Sequence, residues 1–216
     1  MEDGDLALVI ALDCSASVSL ESFALMASGC AAGLRDPAVV AGLLGGRRGA
    51  SLCALLIWSG PGAQEVMVEW TRLASREDLA TFADAVENVP RTVRAGATAI
   101  GEALRACEAL LLAAPAGADR VVIDMVGDGK SNLGILPGPV RDRLVAGGVT
   151  INGLCVLHDE PDLLAHYAAE VIGGPGAFAM TCQDFSEFEA AMRQKLRREI
   201  IAAREPEIGR TDTRSI

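Results

Sequence analysis

The chain of 216 residues is long enough to bury a substantial hydrophobic core within one domain. Half of its residues are hydrophobic but only 4% are aromatic, so Ala, Leu, Val and Ile must form most of that core. Its 29 acidic and 19 basic residues give a formal net charge of −10, which argues against binding to nucleic acid or to anionic membrane surfaces.

Apolar, strand-like runs alternate with helical patterns along the chain. Residues 6–12 form a continuous apolar run, which predicts a strand buried on both faces, and residues 50–58 (ASLCALLIW) predict a second strand. After a turn at 59–62, residues 64–72 alternate in polarity, so this pair is expected to form an antiparallel hairpin. The other predicted strands are 119–127, 149–156 and 177–181. A first helix is predicted at 20–35, either extended or followed by a short helix before Gly45. The other helices are predicted from Ser75 to Asn88, at 98–114, 138–146 and 162–171, and from Asp184 to about Arg204.

This order of elements predicts an α/β fold with a mainly parallel, six-stranded sheet and helices on both faces. The strand at 64–72 is expected to be the antiparallel edge strand. No linker or internal repeat interrupts the pattern, so residues 1–204 are predicted to form a single domain and residues 205–216 a polar C-terminal tail.

The six cysteines are scattered without the spacing of a metal site and often lie within apolar runs, which predicts buried free thiols. The start of the chain lacks the basic and apolar regions of an export signal. We therefore expect a cytoplasmic location for the chain as written, with a periplasmic or secreted location as the alternative if a leader has been removed. No apolar stretch has the length and boundaries of a membrane span, so no membrane insertion is expected.

Oxygen-bearing side chains follow two of the predicted strands. In ALDCSAS, Asp13, Ser15 and Ser17 occupy alternate positions where the first strand ends, and Asp128 in VGDGKSN follows a second buried strand. Thr98 lies at the start of a predicted helix. Because ligands bind beyond the carboxyl ends of parallel strands, we expect these five side chains to meet at one edge of the sheet.

Two carboxylates and three hydroxyls, without Cys or His, suit a hard cation such as Mg²⁺, Mn²⁺ or Ca²⁺. Each element also has a plainer explanation. Ser15, Ser17 or Ser19 can cap the helix that follows, Thr98 can cap its own helix, and the Asp128-Gly129 pair is common in turns. Their combination and order favour a metal site. Two aspartates can at most balance a divalent ion, so a carboxylate from another molecule would be attracted to an open position.

The order DxSxS, then Thr98, then GDG resembles the metal-ion-dependent adhesion site (MIDAS) of von Willebrand factor type A (vWA) domains. The chain most closely resembles the bacterial DUF1194 family over residues 6 to about 200. The resemblance is carried by the stretches ALDCSASV, GLRDPAV, IWSGPG, EWT, TAIGEAL, VIDMVGDG, TINGL and VIGGPGAF. It implies a Rossmann-like, doubly wound sheet and reversible, metal-dependent binding of a protein whose acidic side chain completes the site.

By this resemblance, Ser15, Ser17 and Thr98 are direct ligands, whereas Asp13 and Asp128 bind the ion directly or through water. The protein is then expected to be a binding module and not an enzyme. The main alternative is a divalent-metal-dependent hydrolase or phosphoryl-transfer enzyme that uses the same site. A third interpretation is a structural subunit with a vestigial site, but the intact set of five residues argues against it.

Other polar residues allow two interpretations each. Asp124, within a predicted strand, can orient the site or form a structural hydrogen bond, and the structural role is favoured. His158 and His166 flank an acidic loop, which favours a solvated loop over a second metal site. A basic cluster in the last predicted helix favours a solvated helix face over a phosphate-binding patch. The cluster consists of Arg193, Lys195, Arg197 and Arg198.

Overall fold

A six-stranded sheet organises the chain in the computed structural model, which describes residues 2–201. Its strands lie in the order β3-β2-β1-β4-β5-β6, and only β3 is antiparallel to its neighbour. This confirms the predicted sheet and its antiparallel edge. The strands are β1 (Gly4–Asp13), β2 (Ser51–Trp58), β3 (Gln64–Leu73), β4 (Ala118–Gly127), β5 (Val149–Val156) and β6 (Ala179–Cys182). The predicted tail at 205–216 and the predicted helix end near Arg204 lie outside the described residues.

Seven α-helices and one π-helical turn accompany the strands within residues 2–201. Ser75 caps the third helix by accepting a hydrogen bond from the backbone N–H of Asp78, as the capping box predicted. The helices are α1 (Leu20–Leu34), α2 (Pro37–Leu44), α3 (Arg76–Glu87), α4 (Ile100–Leu112), α5 (Pro137–Ala146), α6 (Leu163–His166) and α7 (Phe188–Ile201), and the π-turn is Tyr167–Val171.

Two predicted helices differ from those observed. The helix predicted at 162–171 is a single α-helical turn followed by the π-turn. The last helix was predicted from Asp184 but begins at Phe188. Its predicted capping residue instead forms a local turn, in which Asp184 Oδ1 accepts a hydrogen bond of 2.8 Å from the N–H of Ser186.

The sheet separates two hydrophobic layers, and β1 contributes to both. Leu8, Ile10 and Leu12 pack in the layer that contains residues of α1, α2, α3 and α7. Val9 and Ala11 face the opposite layer, which contains residues of α4, α5, α6 and the π-turn. Full burial of a leucine or isoleucine side chain contributes about 1.5–3 kcal/mol. The continuous apolar run of β1 is therefore explained by its central position, where both faces are covered.

The prediction that the basic cluster of the last helix is solvated is wrong for Lys195. Its side chain is fully buried and pairs with Asp124 in β4 and with Glu199 one turn later. Helical periodicity explains the error, because Lys195 shares the buried face of α7 with Phe188 and Met192. The neighbouring arginines make this buried face difficult to recognise from the sequence. The same contact confirms the favoured structural role of Asp124.

All six cysteines are buried free thiols, as predicted. Burial raises the pKa of each thiol, to about 12 for Cys14 and Cys155. They are therefore inert components of the core at neutral pH. Across residues 2–201, none of the helices has the length and apolar character needed to cross a membrane.

Candidate metal centre

The candidate site lies where the strand order of the sheet changes direction. From the central pair β1 and β4, the chain extends through β2 and β3 on one side and through β5 and β6 on the other. Asp13 is the last residue of β1, and Asp128 follows Gly127, the last residue of β4. The carboxyl ends of two adjacent parallel strands therefore bring both aspartates to the crevice in which α/β sheets bind ligands.

Asp13 is buried and only partly satisfied by hydrogen bonds. Its Oδ1 accepts a hydrogen bond of 2.6 Å from the N–H of Ser15, whereas its Oδ2 is buried without a partner. Burial, together with the negative charge of Asp128, raises the pKa of Asp13 to about 7. A carboxylate held in this way is poorly solvated and would be stabilised by a cation.

Ser15 and Ser17 connect the first loop to Asp128. Their hydroxyl oxygens are 3.2 Å apart, and the Ser17 hydroxyl donates a hydrogen bond of 2.8 Å to Asp128 Oδ1. The other oxygen, Asp128 Oδ2, is buried without a partner. Burial raises the pKa of Asp128, although the bond from Ser17 opposes that shift. Four of the five predicted residues are thus joined in one chain of contacts.

Thr98 is held against the loop that carries Asp128. Its backbone N–H donates to Asn132 Oδ1 at 2.9 Å, and its carbonyl accepts from the N–H of Asn132 at 3.0 Å. A Cβ added to Gly129 would lie 3.3 Å from Thr98 Oγ1, so the hydroxyl faces the GDG loop. The N-cap of α4 is Ala99 and has no side-chain cap bond, so Thr98 does not cap that helix.

Ser19, in contrast, is only a helix-capping residue. Its hydroxyl accepts a hydrogen bond of 3.0 Å from the N–H of Ser22 and caps α1. The capping role that the sequence allowed for three serines therefore belongs to Ser19. Ser15 and Ser17 remain at the site.

Arg91 supports the first loop, although the sequence analysis did not single it out. Its guanidinium donates hydrogen bonds of 2.8 and 3.0 Å to the carbonyls of Cys14 and Ser15. The N–H of Ala16 also donates to the carbonyl of Gly96 at 2.9 Å. These contacts join segments more than seventy residues apart, and no local pattern in the sequence indicates them.

The donor set fits a hard divalent cation. It offers two buried carboxylates, each with one unpartnered oxygen, beside three hydroxyl-bearing side chains. Among residues 2–201, no group of three or more His, Cys, Asp and Glu side chains is placed to hold a metal ion. Ion binding at this edge would therefore depend on the hydroxyls of Ser15, Ser17 and Thr98 as well as on the two carboxylates.

The fold is that of a von Willebrand factor type A domain. Proximal thread matrix protein 1 from the mussel byssus aligns with a TM-score of 0.64 at 18% identity, over 90% of this chain and 48% of that chain. A von Willebrand factor type A protein from Catenulispora acidiphila aligns with a TM-score of 0.63 at 18% identity, over 91% of this chain and 43% of that chain. The present chain thus spans less than half the length of these two. Another structure of the mussel protein has a zinc-occupied MIDAS motif. It aligns with a TM-score of 0.63 at 19% identity, over 90% of this chain and 48% of that chain.

The chain belongs to DUF1194, a family described as "Protein of unknown function", whose model matches residues 3–204. The resemblance to this family seen in the sequence is therefore confirmed, and the resemblance to vWA domains is confirmed at the level of the fold. A comparison with curated proteins found no match.

Proposed function

We propose that this protein is a metal-ion-dependent protein-binding module. In this proposal Asp13, Ser15, Ser17, Thr98 and Asp128 hold a divalent cation that captures an acidic side chain of a partner protein. The observation that carries the proposal is the pair of buried aspartates at adjacent strand ends, each with one carboxylate oxygen that lacks a partner. An ion would supply the positive charge that these oxygens lack.

Charge balance supports an acidic partner. Two aspartates can at most neutralise a divalent ion, and the three hydroxyl ligands add no charge. The bound ion would keep enough positive character to attract a third carboxylate, since a unit-charge pair at 4 Å gains about 4 kcal/mol at an effective dielectric constant of 20 before desolvation. We propose Mg²⁺ as the ion, with Mn²⁺ or Ca²⁺ as alternatives, because every donor is oxygen.

The neighbouring basic groups favour binding over catalysis. Lys130 forms ion pairs with Asp162 at 2.6 Å and with Glu160 at 3.1 Å, which raise its pKa and keep it protonated. The Nε2 atom of His166 accepts a hydrogen bond of 3.2 Å from the N–H of Ser131. Both side chains are thus engaged with other groups, which argues against either of them as the general base of the hydrolase alternative.

The first test is metal binding by isothermal titration calorimetry. We expect Mg²⁺ and Mn²⁺ to bind the wild type and not an Asp13→Ala variant, because the variant loses a carboxylate and half of the site's negative charge. Zn²⁺ should be titrated as well, because a structural relative holds zinc at the corresponding motif. Equal heats from wild type and variant would contradict the proposed site.

A matched pair of serine variants separates metal ligation from folding. Ser17→Ala should weaken metal binding at least tenfold with little change in stability, because Ser17 contacts Asp128 and is exposed. Ser19→Ala should leave metal binding unchanged but cost about 1 kcal/mol of folding stability, because it removes a helix cap. The opposite pattern would assign Ser17 to the helix and not to the ion.

The second test is capture of a partner from cell lysate on the immobilised protein. We expect capture to be lost with EDTA, restored by Mg²⁺, and absent with Asp128→Ala. Amidation of the lysate's carboxyl groups should abolish capture, because the ion would then meet no carboxylate. Capture that is unaffected by chelator or by amidation would contradict this mode of binding. Metal-dependent turnover of phosphoesters that is lost in Asp128→Ala would instead favour the enzyme alternative.

A further inference from the structure

Tyr167 reaches the candidate metal site through a slot formed by two glycines on adjacent strands. A Cβ on Gly153 in β5 would lie 2.7 Å from Tyr167 Cδ1, so this glycine makes room for the ring. A Cβ on Gly127 in β4 would lie 2.9 Å from both the Tyr167 hydroxyl and Asp13 Oδ2. The absence of side chains at these two positions allows a tyrosine below β5 to place its hydroxyl near the end of β1.

The Tyr167 hydroxyl is a buried donor beside a buried acceptor. It has no hydrogen-bond partner, and neither has Asp13 Oδ2. Each oxygen lies 2.9 Å from the same Cβ position, so the two are within about 6 Å of each other. Two hydrogen bonds of about 2.8 Å can span that distance with one water between them.

This hydroxyl is a poor choice for stability alone. A buried polar group without a partner is unfavourable, and phenylalanine would fill the same slot without that cost. The residue also begins the π-turn, in which the N–H of Ile172 donates to the carbonyl of Tyr167 at 2.9 Å. Such turns occur frequently at functional sites.

We propose that Tyr167 is a positioning residue for the metal site, and this inference rests on the proposed function. Its hydroxyl donates a hydrogen bond, through one water, toward Asp13 Oδ2. That bond orients the carboxylate for the ion. Residues that orient metal ligands in this way change metal affinity when they are replaced, although they do not touch the metal.

The test compares the wild type with Tyr167→Phe, which removes only the hydroxyl. With Mg²⁺ and Mn²⁺ alone as probes, we expect calorimetry to show about tenfold weaker binding. The metal-free variant should be at least as stable as the wild type in urea denaturation. Ser51→Ala is the matched control, because it removes another buried hydroxyl, from the first residue of β2. Ser51 lies at the amino-terminal ends of the parallel strands, away from the metal site, so this variant should leave metal affinity unchanged.

A spectroscopic readout keeps the test independent of folding effects in the variant. Tyr167 is the single tyrosine of the chain, so incorporation of 3-fluorotyrosine gives one ¹⁹F resonance from this position. We expect that resonance to shift on addition of Mg²⁺ to the otherwise unaltered protein, and not in Asp13→Ala.

The possible outcomes separate the two proposals. If the wild type binds neither metal, both the proposed function and this inference are wrong. If the wild type binds metal but Tyr167→Phe binds within twofold of it, or the resonance does not move, the inference about Tyr167 alone is overturned. A tenfold loss together with a metal-dependent shift supports it.

Discussion

Replacement of Lys195 by methionine is expected to lower the free energy of unfolding by about 3–5 kcal/mol, because it removes one partner of a buried ion pair. Lys195 is fully buried between Asp124 and Glu199. Burial opposes its charge, but the two carboxyl groups outweigh that effect and raise its pKa. Without the ammonium group, Asp124 would remain in the core as an uncompensated charge.

Glu199 is the second acid that contacts Lys195. Burial and the neighbouring Asp124 raise the pKa of Glu199 well above its usual range, whereas Lys195 and Asn152 oppose that shift. Its Oε1 also forms a hydrogen bond of 2.5 Å with Asn152 Nδ2 in β5. The group of Asp124, Lys195 and Glu199 thus joins α7 to β4 and, through Asn152, to β5.

Urea denaturation in EDTA measures the effect of Lys195→Met. Arg193→Met on the same helix is the matched control, because Arg193 is half-exposed and pairs with Glu189 on the surface. That variant should lose less than about 1 kcal/mol. Adding Asp124→Asn to Lys195→Met should recover part of the loss, because it removes the unpaired charge. A loss below about 1 kcal/mol for Lys195→Met would show that the pair contributes little.

The metal-free protein is expected to lose stability as the pH rises through the titration of Asp13. Burial and the charge of Asp128 raise the pKa of Asp13 to about 7, against a usual value of 3.8. The folded state therefore binds this proton more tightly than the unfolded state does. The resulting stabilisation is complete below pH 4 and is lost as the pH rises through 7, with about 2–3 kcal/mol disappearing between pH 5 and 8.

Denaturation curves at several pH values in EDTA test this expectation. The free energy of unfolding of Asp13→Asn should change less between pH 5 and 8 than that of the wild type, by about the same 2–3 kcal/mol, because the amide does not ionise. Asp142→Asn, at an exposed position, should follow the wild type. Asp128 and Glu199 also have raised pKa values, but they are present in every variant and largely cancel in the comparison. Parallel curves for the wild type and Asp13→Asn would contradict the titration.

Added Mg²⁺ should reverse this pH dependence. A cation competes with the proton for the same carboxylate, so it should stabilise the wild type more at pH 8 than at pH 5. The same addition should not stabilise Asp13→Asn. An equal gain at both pH values would indicate that the ion binds elsewhere.

Local patterns in the sequence were sufficient to predict the sheet and the placement of the candidate ligands. Strand β1 is a continuous apolar run because both of its faces are covered, and it ends at Asp13 as expected. Parallel strands bring their carboxyl ends to one edge, so residues at the ends of β1 and β4 had to be neighbours. The helix starts were predicted less well, because Asp184 forms a local turn in place of a cap.

The sequence by itself therefore determined the fold class, the family and the edge of the sheet at which Asp13, Ser15, Ser17, Thr98 and Asp128 meet. These features follow from short-range periodicity and from strand polarity. Only the tertiary structure decided that Lys195 lies in the core, that Ser19 is the cap, and that Arg91 and Tyr167 approach the site. Such contacts join residues far apart in the chain, and they depend on which helix face packs inward and on where two glycines leave room between strands.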